Sequence, residues 1–217
     1  MAAQGYIVAA VDHPGTTTFN KAPRDAQQLW RRPQDLQQAM AKIIAPPALA
    51  GKVDVERIGA VGHSLGGWTV LELAGGRFDA KRFQNDCRVS KGLASCTLTH
   101  ILGINRAPGQ LAADARDRKI KAVVSLDLGL ARGFTPQSLA KIEIPVLVMS
   151  AQVDNAEVPA GLESGYLRES IPRALRHDVE VEGATHFSFM QACKPGAEAF
   201  IAQKDPGEEI VCQDGGT

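Results

Sequence analysis

The feature that most restricts what this chain can fold into is the string Gly62-His63-Ser64-Leu65-Gly66-Gly67, set between the apolar run Arg57 to Val61 and a second apolar stretch that reaches Ala74 before Gly75-Gly76. Gly-x-Ser-x-Gly between a strand and a helix describes a turn so tight that the serine is forced into a strained backbone geometry. Small residues are expected on both sides, at Gly62 and Gly66, because a larger side chain two positions away would clash with the turn. The turn lifts the serine hydroxyl above the end of a sheet and opens a helix behind it. The N–H of Leu65 and the positive end of the helix dipole then face any negative charge that forms there.

Other segments repeat the alternation of strand and helix. Tyr6 to Val11 is an apolar run ending at Asp12-His13-Pro14-Gly15 and is expected to be a buried parallel strand. Pro33 to Ala45 places Leu36, Met40, Ile43 and Ile44 at helical spacing, with Pro33 suited to a first turn and Pro46-Pro47 to a stop. Ala122 to Leu126, Val146 to Ser150 and Asp178 to Val181 are three further strand candidates. Residues 77–119 are charged and read as an irregular, lid-like insertion. The expected fold is therefore a single α/β domain over 1–217, a mostly parallel sheet with helices on both faces.

A serine hydroxyl attacks a carbonyl only when a histidine takes its proton and a carboxylate holds that histidine in the right tautomer. Of five histidines, His186 is best placed, in the loop Gly183-Ala184-Thr185-His186-Phe187 after the last strand. His63 adjoins the serine and is expected to shape the turn, His13 to rim the site, and His100 and His177 to be structural. Two aspartates compete for the acid. Asp154 follows the strand Val146 to Ser150 and is favoured by the usual order of elements in such enzymes, while Asp127 ends the strand Ala122 to Leu126. The expected catalytic set is Ser64, Asp154 and His186, with Leu65 as oxyanion donor and Asp127 as the alternative acid.

Read in order, GYIVAAVDHPG, GHSLGG, LDLGLARGFTPQSLAKIEIPVLVM and GATHFSFMQACKPGA resemble bacterial predicted dienelactone hydrolases of the type related to platelet-activating-factor acetylhydrolase, within the α/β-hydrolase superfamily. The resemblance spans nearly the whole chain. It implies an α/β-hydrolase fold and hydrolysis of small-molecule carboxylic esters or lactones through an acyl-serine, with no metal or organic cofactor. It carries the nucleophile to Ser64 and the base to His186. Asp154 matches the common acid position and Asp127 the one used by the acetylhydrolases. Serine stands where the better-known dienelactone hydrolases have cysteine. Such enzymes take a second oxyanion N–H from a loop after an earlier strand, whereas only one strand candidate precedes the elbow strand here. The chain is thus expected to lack the first strands of the domain, and the alternative to an esterase is an impaired fragment that at most binds ligands.

Composition narrows the partners. The 24 basic and 24 acidic residues cancel, so no net field draws nucleic acid or an anionic membrane. No apolar run approaches the roughly 20 residues that span a bilayer. The turn is not a dinucleotide-binding Gly-x-Gly-x-x-Gly, and the chain has no P-loop string. Cys87 with Cys96 and Cys193 with Cys212 form two local pairs without the spacing of a zinc site. They are read either as free thiols in the cytoplasm or as disulfides in a periplasmic or secreted protein. No signal of oligomeric state is present.

Overall fold

The computed structural model describes residues 1–17, 20–46, 51–90, 93–153 and 159–213. Its centre is a sheet of parallel strands in the order β1 (Ile58–His63), β2 (Ile120–Leu126), β3 (Val146–Ala151) and β4 (Arg176–Val181). Register aligns Ala60 with Val123 and Val123 with Val146, and aligns Gly62 with Ser125 and Ser125 with Val148. Val123, Ser125, Val146 and Val148 are buried, so this face carries the core. On the other face Val124, Leu147 and Met149 are half-buried, while Val61 and Val179 are exposed. All strands run the same way, so their C-terminal ends, where the loops bearing Ser64, Asp127 and His186 begin, share one edge of the sheet.

The helices of seven residues or more among the described residues are α1 (Arg31–Ile44), α2 (Leu65–Ala74), α3 (Ala80–Val89), α4 (Ala94–Ile101), α5 (Ser164–Ser170) and α6 (Ala197–Lys204). Helix α1 starts two residues ahead of Pro33, which is buried in its first turn. Helix α2 is apolar almost all round and packs on β1 and β2, and Val70, Leu71 and Leu73 are fully buried. Burial on that scale drives the helix onto the sheet, at roughly 1.5–3 kcal/mol for each large side chain. Trp68 anchors it, with its ring 5.7 Å from Phe78 and 6.0 Å from Phe134.

Two expectations fail in instructive ways. Residues 6–11 form no strand, and Tyr6, Ile7 and Val8 are each more than half exposed. An apolar run becomes a strand only when a neighbour accepts its backbone hydrogen bonds, and among the described strands β1 pairs with β2 alone. The segment 77–119 is not irregular throughout, since it contains α3, α4 and a one-turn helix, Pro108–Leu111. Asp79 caps α3 by accepting from the N–H groups of Lys81 and Arg82. Ala80, Phe83 and Cys87 then recur along one face, with Ala80 and Phe83 buried. Phe78 enters the core beside Gly133, where an added Cβ would lie 2.0 Å from the Phe78 ring.

All four cysteines are paired, Cys87 with Cys96 across the α3–α4 junction and Cys193 with Cys212 around α6. Among the described residues no helix is long and apolar enough to cross a membrane. Replacing Cys87 and Cys96 by serine together is expected to lower stability by about 2–3 kcal/mol, the loop-closure value for so short a loop, as read by urea denaturation.

Candidate active site

Ser64 caps α2 with φ 54 and ψ −119, in a region that residues with a side chain rarely occupy. The strain is imposed from both ends of the turn. The Ser64 N–H donates to the Leu126 carbonyl at 2.9 Å, which extends the β1–β2 ladder into the turn, and the Trp68 N–H closes the first helical turn on the Ser64 carbonyl at 3.3 Å. Leu65, as first residue of α2, has an N–H without a partner inside the helix.

The glycines divide differently from the motif. A Cβ at Gly62 would lie 2.1 Å from the Gly66 carbonyl oxygen, which the backbone cannot accommodate. A Cβ at Gly67 would lie 2.8 Å from both the Leu128 Cβ and the Ser125 Oγ, so Gly67 lets α2 settle onto β2. A Cβ at Gly66 would meet nothing within 4 Å beyond its own helix. Sterics thus require glycine at Gly62 and Gly67, while at Gly66 there is room for a Cβ.

Asp127 follows β2 directly, at φ 40, with its side chain 2% exposed. One carboxylate oxygen accepts from the Ala151 N–H at 2.9 Å, and the other accepts from His186 Nδ1 at 2.6 Å. His186, itself buried, lies on a short 3-10 turn, His186–Phe189, that a Thr185–Ser188 capping box begins. This loop leaves β4 at one side of the sheet and returns over β3. The Val153 N–H donates to the Ala184 carbonyl at 3.0 Å, His186 reaches Asp127 at the end of β2, and the His186 carbonyl meets His63 at the end of β1. His63 Nε2 lies 2.7 Å from that carbonyl, with its ring 4.6 Å from the His186 ring. Burial, reinforced by the neighbouring His186, pushes the His63 imidazole down to about 4.

Asp154 lies outside the described residues. His13 belongs to a different cluster, its Nδ1 2.8 Å from an Asp35 oxygen on α1. Beside it Arg32 donates to Thr16 Oγ1 at 2.6 Å and to Thr69 Oγ1 at 3.0 Å, pinning the 13–16 loop to α1 and α2. His100 and His177 are exposed. Glu163 went unnoticed in the sequence. It is fully buried, and its Oε2 accepts from the Ala131 N–H at 2.6 Å, which holds the segment that follows Asp127. Burial pushes its carboxyl up to about 7, against the pull of that hydrogen bond and of Arg132. Nothing in its local sequence, Gly161-Leu162-Glu163-Ser164, marks it as buried. Among the described residues no group of three His, Cys, Asp or Glu side chains is arranged to hold a metal ion.

In overall structure the chain is similar to a ferulic acid esterase from Streptomyces cinnamoneus, with a TM-score of 0.47 and 19% identity over 88% of this chain and 43% of that one. The chain thus spans less than half the length of that enzyme. No family model and no curated protein matches the sequence.

Gly62→Ala is expected to cost more than about 3 kcal/mol or prevent folding, because the clash is with backbone. Gly66→Ala is expected to change stability by less than about 1 kcal/mol. Equal midpoints in urea for the two would contradict this division. For Glu163, the folded carboxyl keeps its proton up to about 7 while the unfolded chain loses it near 4.5. Its contribution is fully present below 4.5 and is lost as pH rises through 7. The stability of the native chain relative to Glu163→Gln is therefore expected to fall across that window and level off above it.

Proposed function

We propose that the chain is a serine hydrolase that cleaves carboxylic esters or lactones through an acyl-serine, with Ser64 as nucleophile, His186 as general base and Asp127 as the acid that orients it. The observation that carries this reading is the buried 2.6 Å hydrogen bond between His186 Nδ1 and Asp127, at the same sheet edge as a serine held at positive φ. Because the carboxylate accepts a hydrogen bond from Nδ1–H, the proton of the neutral ring stays on Nδ1 and the Nε2 lone pair is left free for the serine hydroxyl. Ser64 Oγ attacks the acyl carbon as His186 Nε2 removes its proton, and the negative oxygen gains the Leu65 N–H and the α2 dipole. Collapse expels the alcohol with the proton returned by His186. Water, deprotonated by the same imidazole, then releases the acid and restores the serine.

The finer assignment, to dienelactone hydrolases related to the acetylhydrolases, rests on the sequence resemblance. Residues 77–119 are proposed to shape access to the acyl site, since α3 packs against the segment 131–133 that follows Asp127. Two disulfides suit a protein of an oxidising compartment.

Incubation with a fluorophosphonate, read by intact mass, is expected to add one phosphonyl group, with none on Ser64→Ala. Asp127→Asn is expected to slow labelling by about 10³–10⁴-fold, because the amide stabilises the wrong tautomer. Asp154→Ala is expected to stay within about threefold of the native rate. The reverse pattern would transfer the acid role to Asp154, and absence of labelling in the native chain would end the hydrolase reading.

A further inference from the structure

The loop that carries His186 has a long way to travel. It leaves β4, at the edge of the sheet opposite β1, and must bring an imidazole to the serine that follows β1. Its course is held at successive strand ends, by Val153 beyond β3, Asp127 beyond β2 and His63 at the end of β1. The first holds the backbone two residues before His186 and the second holds its side chain. Only the third holds the His186 backbone itself.

The chemistry of that contact is specific. A backbone carbonyl can only accept, so at 2.7 Å His63 Nε2 must carry a proton. In the neutral ring Nδ1 then holds the lone pair. The titratable groups facing the ring are His186 and Asp127. His186 opposes protonation together with burial, and Asp127 and the carbonyl favour it. The ring is wedged between His186, at 4.6 Å, and Phe189, at 6.1 Å between centroids. These contacts hold the ring with its donor aimed at the loop.

We infer that His63 is a positioning residue for the base: its Nε2–H holds the His186 backbone carbonyl and so sets the distance between the His186 imidazole and Ser64. This rests on the serine hydrolase reading of the site. Because Ser64 is the next residue along the chain, the same peptide segment carries the nucleophile and fixes the base opposite it. Relative movement of the two is restrained without any contact through the substrate. A misplacement of about 1 Å at such a site typically costs on the order of 100-fold in rate.

The test compares fluorophosphonate labelling rates of the full chain with His63→Gln, His63→Asn and His63→Phe, each checked for a cooperative melt. The Gln amide nitrogen reaches about where Nε2 stands, while the Asn amide is one bond short. His63→Gln is expected to label within about threefold of the native rate, and Asn and Phe to label about 10–100-fold more slowly. Should the Phe variant not fold, the Gln and Asn pair carries the comparison. The slower variant is then combined with Asp127→Asn. Positioning through His186 predicts that its effect shrinks at least threefold there, since the imidazole is already misheld. Equal rates for Gln and Asn, or a full effect retained beside Asp127→Asn, would overturn the inference. Failure of the native chain to label would instead remove the hydrolase reading on which it rests.

Discussion

The backbone of Gly62 runs so close to the Gly66 carbonyl that a single added carbon would lie 2.1 Å from its oxygen. That approach makes the turn between β1 and α2 tight, and the tightness drives Ser64 to φ 54. Strain of this kind costs about 1–3 kcal/mol and persists only where the surroundings over-determine it. Here β2 holds the entering strand through the Ser64 N–H bond to Leu126. The departing helix is held by Trp68, Val70 and Leu71, all buried. The aromatic group of Trp68, Phe78 and Phe134 therefore serves the turn as much as the core, since a helix free to shift would let the serine relax.

The same edge of the sheet concentrates buried polar groups whose partners come from distant parts of the chain. Asp127 would be costly to bury alone, and it is satisfied by the Ala151 N–H on one oxygen and His186 on the other. Removing either partner leaves one carboxylate oxygen unpaired in a site 2% exposed. Glu163 meets the same problem differently. Burial favours its protonated form, and one oxygen stabilises the peptide N–H of Ala131. One aspartate and one glutamate thus brace the two ends of the segment 127–131 by opposite electrostatic routes.

Much of the architecture was legible because it depends on local pattern. The strand runs at Arg57 to Val61, Ala122 to Leu126 and Val146 to Ser150 were visible as apolar segments bounded by turns, and Pro33 in the first turn with Pro46 beyond the last marked α1. The run Tyr6 to Val11 misled because strand formation needs a partner, and composition does not reveal whether one is there. Residues 77–119 misled in the other direction, since their charges concealed a helix stripe of Ala80, Phe83 and Cys87 and a cap at Asp79.

The sequence by itself determined the turn and its serine, because the sterics of Gly62 and Ser64 act over five residues, and it singled out His186 by its place after the last strand. It favoured Asp154 over Asp127 as the carboxylate partner of that histidine, but order along the chain does not say which carboxylate lies within reach. Only the tertiary structure brought the end of β2 under the loop that returns from β4, joining residues 59 positions apart at 2.6 Å. It also aimed His63 at a carbonyl 123 positions away. Hydrogen bonds act over about 3 Å, and distance along the chain has no bearing on distance in space until the parallel strands have stacked and set their register.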